Sequence, residues 1–417
     1  MSVAGQTATA PLHPPSTRRA AIAFIFVTVM LDMLALGMII PVLPLLIEMF
    51  RGGDTASAAR MVGIFGASWA AVQFVAAPLL GSLSDRFGRR PVVLLSNFGL
   101  GLDYMLMALA PSLGWLFVGR IISGITSASV PTAYAYIADV TPPERRARSY
   151  GLLGAAFGIG FVVGPALGGV LGAWGPRTPF WVAAGLSLAN ACYGYFILPE
   201  SLAADHRSPF SWKRANPMGA LRLLRSTRAL SGLAAVHALY HLAHHSLSAV
   251  FVLNVAYRFG WTSMTVGLTL AATGVCSAIV QAGLVGRIVA RVGERRTLLA
   301  GLTAGVIGFA AYGIAPTGAT FLLAVPILAF WGMYSPAVQG LITRMVGRDR
   351  QGALQGAFGS VQMAMGIFGP VLFADVFARS IAPDVRWHVP GAPFLLAAVL
   401  LLVAIVVART TFGATES

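Results

Sequence analysis

Charge is what this sequence has least of. Only 10% of its 417 residues are Asp, Glu, Lys or Arg, where a soluble chain carries roughly a quarter. Acids are the scarcer sign, 14 against 29 basic residues. Together with a hydrophobic content of 57%, that scarcity excludes a water-soluble fold. Cysteine is nearly missing. Cys192 and Cys276 are the two present, and both lie inside apolar runs, so no disulfide framework or cysteine-based metal motif is readable. No nucleophile–base set and no phosphate-binding glycine loop is visible, which makes an enzyme the weakest reading.

Long apolar runs are what is abundant. Twelve can be marked, from 20–47 through to 392–408, and about 20 apolar residues suffice for a helix to cross the hydrocarbon of a bilayer. The expectation is an all-α membrane protein with twelve transmembrane helices. The longest polar stretch, 199–229, splits them into two sets of six. The chain therefore reads as a tail (1–19), a six-helix bundle (20–198), a central linker (199–229), a second six-helix bundle (230–409) and a short tail (410–417). Residues 1–19 lack the apolar core and cleavage site of a signal peptide and read as a polar tail.

The basic residues give an orientation. With the first tail inside, 22 of the 29 fall on inner segments. Six fall outside (Arg51, Arg60, Arg177, Arg258, Arg379 and Arg386), and Arg120 sits within a span. Cytoplasmic segments carry such an excess, so both termini are expected in the cytoplasm. The net charge of +15 is then a topology signal facing anionic lipid; no nucleic-acid partner is expected.

The two sets of runs match at a constant offset of 205. Gly81 pairs with Gly286, Arg86 with Arg291, Gly88 with Gly293, Arg90 with Arg295, and Gly164-Pro165 with Gly369-Pro370. Parallel repeats of this kind are a transporter architecture with a substrate site near the midplane between them.

Between the second and third runs lies GSLSDRFGRRP (81–91), a charged turn with Gly81 and Gly88 at its ends. Asp85 falls at a helix C-terminus, where the dipole disfavours an anion. It needs a partner: Arg86, Arg89, or a helix N-terminus from the other half. A solvated loop serving topology alone is the plainer alternative. Inside the spans, ionisable residues are costly and mark function by default. Asp32 lies about 16 Å into the first run at the usual helical rise, near the midplane. It reads as a proton or cationic-substrate site, or as a carboxylate hydrogen-bonded to a neighbouring helix. Asp103 and Arg120 flank the turn at Pro111-Ser112 at equal depth, which predicts a buried ion pair, either static or proton-sensitive. His237, His241, His244 and Ser248 form one helical stripe, with His245 beside it, and His237 is the repeat counterpart of Asp32. Histidine titrates near neutral pH, so the stripe reads as a proton relay or as a polar cavity lining. No metal site is assigned, because no carboxylate lies nearby on that helix. Gln73, Tyr134, Gln281, Trp331, Tyr334 and Gln339 are candidates to line a substrate cavity.

GSLSDRFGRRP resembles the signature cytoplasmic loop of the major facilitator superfamily, and GFVVGPALGG (160–169) resembles the motif of its antiporters. The stretches 31–46, 102–129 and 136–160 resemble the tetracycline/proton antiporter branch, and ARVGERR (290–296) and QGALQGAFG (351–359) fit it in the second half. The resemblance implies a drug/proton antiporter of the inner membrane, exporting a tetracycline-like or other amphipathic small molecule in exchange for protons, with no cofactor and as a monomer. A divalent cation would enter only as part of the substrate. It implies that Gly81, Asp85, Arg86, Gly88, Arg89 and Arg90 form a conformational latch across the halves. It also implies that Gly160, Gly164, Pro165, Gly168 and Gly169 form the kink that goes with exchange, and that Arg120 sits where the family has an arginine in its proton-coupling helix; Asp32, Asp103, His237 and His241, read from their positions, are the candidates to share that coupling. Two departures stand out. Ala304 and Ser277 occupy positions where the branch has an acid and a histidine, which weakens tetracycline as the substrate more than proton-driven efflux. A metabolite or metal-chelate carrier is the alternative within the same fold. A non-transporting sensor is the alternative from another class, and the short cytoplasmic loops count against it.

Overall fold

The computed structural model of the protein describes residues 15–127, 129–208, 223–347, 350–386 and 388–413. Most of the first tail, the middle of the linker with Lys213 and Arg214, and Arg348 lie outside them. Among the described residues the regular structure is entirely helical. The first half of the chain supplies α1 (Pro15–Ile39), α2 (Leu43–Phe50), α3 (Thr55–Phe87), α4 (Arg89–Leu109), α5 (Leu113–Thr126), α6 (Ser129–Val140), α7 (Pro143–Trp174) and α8 (Thr178–Ile197). The second half supplies α9 (Arg228–Phe259), α10 (Ser263–Ile279), α11 (Val285–Ile314), α12 (Gly318–Leu323), α13 (Val325–Ala329), α14 (Tyr334–Arg344), α15 (Gln351–Ser380) and α16 (Ala392–Gly413).

Among the described residues, ten segments are long and apolar enough to cross a membrane. The 32-residue α9 is not among them, because its four histidines dilute its apolar character. The segment Ser263–Ile314 counts once, although Gly293 breaks its helical path with φ 79° and ψ 166°. Several expected runs are interrupted. The fourth is divided into α5 and α6, and the tenth into α12, α13, a 3₁₀ turn (Phe330–Met333) and α14. Between α10 and α11 lies a π-helical turn, Val280–Leu284.

Local chemistry sets the helix ends. The Asp54 carboxylate accepts the Ser57 N–H at 2.9 Å to start α3, and Thr227 accepts from Leu230 at 3.2 Å to start α9, each satisfying an otherwise orphan donor. Gly260 ends α9 in the left-handed region, φ 65°. Orphan carbonyls at the end of α4 are met by Arg177, which donates to Ala108 and Ala110 at 3.1 and 2.8 Å. At the end of α11, Arg258 donates to Tyr312 and Ala315 at 2.8 and 2.5 Å.

Within the first half, α1 packs on α7 and α4 on α8; within the second, α9 packs on α15 and α16, and α11 on α16. The halves meet along two seams, α3 against α15 and α7 against α10, with α9 touching α3 and α2. Both seams are lined by glycine at backbone distance. A methyl group at Gly63 would lie 2.6 Å from the Ala374 Cβ and 2.8 Å from the Pro370 carbonyl oxygen. One at Gly169 would lie 2.6 Å from the Ser263 carbonyl, and one at Gly267 would overlap the Pro165 carbonyl. Small residues allow such approach between helices in a membrane.

All of these contacts lie on the face opposite the charged turn. On the turn's own face, glycines of α3, α7 and α15 and those just past α10 meet nothing within 4 Å: Gly81 on α3, Gly151, Gly154 and Gly158 on α7, Gly283 and Gly286 around the start of α11, and Gly352 and Gly359 on α15. The halves are therefore closed together on one face and parted on the other. One expectation is corrected by this. Gly81 does not bound the turn or permit a close approach, because α3 continues to Phe87 and the space beside Gly81 is open. Gly154 and Gly158 on α7 likewise face open space.

Gly267→Ala is expected to part the α7–α10 seam. In a background with Cys192 and Cys276 replaced by serine, it should raise labelling of a Ser263→Cys thiol by a water-soluble maleimide severalfold. Gly154→Ala should leave that labelling unchanged.

Candidate functional site

Three polar assemblies stand out, and the charged turn is the first. Gly88 carries φ 108° and ψ 164° between α3 and α4, a backbone conformation that a side chain resists. Its repeat counterpart Gly293 does the same with φ 79°. The sharp reversal brings Arg89 back over the end of α3. Its guanidinium donates to Asp85 and to Ser84 (3.2 Å), and reaches Asp139 of α6 at 3.1 Å. Asp85 is thus held within its own half by Arg89. Glu200, just past α8, accepts the backbone N–H groups of Arg89 (2.8 Å), Arg90 (3.3 Å), Ser201 and Leu202 (both 3.0 Å). A carboxylate on a helix N-terminus is favoured by the dipole and the orphan donors. Arg86 points outward and lies over Phe87, 5.1 Å from the ring centroid. In the second half, Glu294 pairs with Arg344, at the positions 205 beyond Arg89 and Asp139. The two pairs are equivalent in place and opposite in sign.

A buried cluster inside the first half is the second assembly. Asp32 is 4% exposed and Asp103 fully buried, and both act on Tyr104 of α4. Asp103 lies against α5, where a methyl group at Gly119 would come within 2.6 Å of its Oδ1. It faces Ser123 and Arg120. The direct ion pair expected with Arg120 is not formed: neither Asp103 oxygen has a hydrogen bond of good geometry, and the Arg120 guanidinium sits 5.3 Å over the Trp69 ring instead. Equal depth on adjacent helices brought the charges near each other, while the helix rotations turned the arginine towards α3. Gln73 of α3 donates to the Ser127 hydroxyl at 3.0 Å.

The third assembly is the histidine stripe of α9. His237 Nδ1 lies 3.2 Å from the Tyr334 hydroxyl, and the His237 and His241 ring centroids are 4.3 Å apart. Tyr240 stacks on Tyr334 at 3.8 Å, and His244 stacks on Trp331 at 5.4 Å. Phe358 meets His237 edge-on at 4.9 Å. Trp331 and Tyr334 are buried, so they back the stripe. His244, Gln281, Gln339 and Tyr134 are exposed. Gln281 lies in the π-helical turn, a kind of distortion frequent at functional sites, and its amide faces Gly332. His245 packs on Gly369 of α15, against the seam. Tyr240, Phe358 and Glu200 belong to these assemblies but carried no sequence signal: two are aromatic in apolar runs, and the third is one acid after a run.

The kink glycines serve two contacts. Gly160, Gly164 and Gly168 lie against Met30, Leu34, Gly37 and Met38 of α1, whereas Gly169 and the Pro165 carbonyl lie on α10 across the seam. Pro165 falls inside α7 and Pro370 inside α15.

Residues 25–370 match the family model described as Major Facilitator Superfamily. The chain is 37% identical to the class C tetracycline resistance protein of Escherichia coli over 92% of this chain and 95% of that protein. It is also 37% identical to the class G tetracycline resistance protein of Vibrio anguillarum, again over 92% and 95%. Among solved structures, it resembles the human organic anion transporter MFSD10 (TETRAN) with a TM-score of 0.69 and 25% identity, covering 95% of this chain and 100% of that one.

Gly88→Ala is expected to lower the unfolding temperature of the detergent-solubilised protein more than Gly293→Ala. Both force a side chain into a left-handed backbone, a cost of about 1–3 kcal/mol. Only at Gly88 does the new methyl also strike the Glu200 carboxylate.

Proposed function

The chain belongs to the Major Facilitator Superfamily, and on that premise we propose that it is a proton-coupled antiporter. It exports a tetracycline-like or other amphipathic compound across the inner membrane by alternating access. The observation that carries this is the one-sided meeting of the halves, closed along α3–α15 and α7–α10 and parted at the charged turns. A substrate path that opens to one face at a time needs such an arrangement.

The chain crosses the membrane twelve times in two six-helix bundles, 20–198 and 230–409. α9 adds one crossing to the ten apolar segments, and the break at Gly293 divides Ser263–Ile314 into two. The basic residues put both termini and both charged turns in the cytoplasm, so the parted face is the inward-open one. The molecule works as a monomer and performs no chemical conversion.

Its parts divide the labour. Asp32 and Asp103 carry the proton in the first bundle beside the standing charge of Arg120, and a load or release of charge there alters which arrangement of the helices is favoured. His237 and His241 extend the proton path in the second. His244, Gln281, Gln339, Tyr134 and Gln73 border the space where the compound sits. The proton gradient is the sole energy source, and a divalent cation travels only with its substrate. When the seams open outward, Asp85 exchanges Arg89 for the N-terminus of a helix of the other half and latches the cytoplasmic side. At the seam, the Arg60–Asp375 pair, 3.7 Å apart on α3 and α15, parts in the same step. The second reading, a metabolite or metal-chelate carrier, is favoured by Ala304 and Ser277.

Cells expressing the protein should tolerate a higher dose of at least one tetracycline-type compound than cells carrying the empty vector. In inverted vesicles, that compound should release protons. Asp32→Asn should abolish both effects at unchanged membrane content, and export that survives the substitution removes Asp32 from coupling. Proton release by a metabolite or metal chelate alone favours the second reading, and none with any compound favours the sensor.

A further inference from the structure

Arg90 stands apart from the arginines around it. Arg89 is paired with Asp85 and Asp139. Glu200, which accepts the backbone N–H of Arg90, is occupied by four backbone N–H groups in all. Among the described residues no ion pair involves the Arg90 guanidinium. It turns away from the other half of the molecule, donates to the Tyr195 carbonyl at 2.6 Å and lies 5.6 Å over the Tyr195 ring. Its Nε is buried without a hydrogen-bond partner.

One helical turn further along α4 begins a groove of about 530 Å³. Leu94, Leu95 and Phe98 of α4 form one wall, and Ala191, Cys192 and Tyr195 of α8 form the other. Positions 90, 94 and 98 share one face of a helix, so the guanidinium stands at the end of the groove. The groove opens on the outer surface: Leu95 is 60% exposed and Phe98 49%. At the same end, Tyr193, Tyr195 and Phe196 are half or more exposed, the aromatic belt of a membrane–water interface.

We propose that this groove binds one anionic phospholipid, with its phosphate on Arg90 and an acyl chain between α4 and α8. The inference rests on α4 and α8 crossing the membrane. Charge complementarity selects the headgroup class. The site offers one unneutralised guanidinium at headgroup level and no free carboxylate for the ammonium group of a zwitterionic lipid. Below it the slot is lined by Leu94, Leu95, Phe98, Ala191 and Cys192, with Tyr195 beside the arginine, which suits an acyl chain. The site is separate from both seams and from the histidine stripe.

Native mass spectrometry of the full-length protein in detergent, with equal amounts of phosphatidylglycerol and phosphatidylcholine of the same chains, tests it. One phosphatidylglycerol should be retained over phosphatidylcholine by about fivefold, the factor expected of one basic residue at a lipid surface. Arg90→Lys should keep the preference and Arg90→Gln should abolish it. Cys192→Phe, which fills the groove from its exposed side, should abolish retention of that lipid molecule without touching the arginine. Equal retention of the two lipids by the unaltered protein overturns the proposal, as does a preference that survives Arg90→Gln or Cys192→Phe. The measurement involves no transported compound, so its outcome is independent of the export assay.

Discussion

Two strips of touching backbone hold the halves of this molecule together, and glycine makes both of them narrow enough to exist. At Gly63 on α3 and at Gly169 and Gly267 on α7 and α10, there is no room for even a methyl group. In a bilayer the hydrophobic effect does not press helices together, so close packing of small residues has to do it. Contacts of this kind are sensitive to distance, because dispersion fades within a fraction of an ångström. A seam is therefore either closed or lost, with little between. That property suits a molecule whose halves must separate on one face while they meet on the other.

Much of the architecture was legible because the bilayer imposes lengths and charges. Apolar runs marked the helices, and the offset of 205 located the second sharp turn, where Gly293 adopts the same left-handed backbone as Gly88. What a glycine faces was not legible. Gly81 and Gly267 look alike in sequence, yet one borders open space and the other a carbonyl oxygen. Composition also cannot signal the π-helical turn at Val280–Leu284 or the division of the tenth run, since both depend on which carbonyl each N–H finds. α9 was readable as a run, although its histidines leave it less apolar than the ten clear segments.

The polar assemblies were legible as depth and not as contact. Spacing from the turn at Pro111 gave Asp103 and Arg120 the same level, but only the rotation of α5 decides that Arg120 lies over Trp69. The stripe His237, His241, His244 follows from helical period alone. Its aromatic backing, Tyr240 and Phe358, is hidden among other apolar residues, and those rings fix the imidazoles in place. Glu200 shows the same limit at the charged turn, because the N–H groups of Arg89 and Arg90 reach it only after α4 and α8 are side by side.

The paired charges at the two turns have opposite polarity: Arg89 with Asp139, and Glu294 with Arg344. Each pair is complementary within its own repeat and clashes with the other. Grafting the second turn into the first repeat would set Glu294 against Asp139, acid on acid, and the reverse graft would set two guanidiniums face to face. The repeats have thus ceased to be interchangeable parts. If they descend from one duplicated ancestor, both members of one pair have switched sign since, and neither member could change alone without leaving its partner opposed.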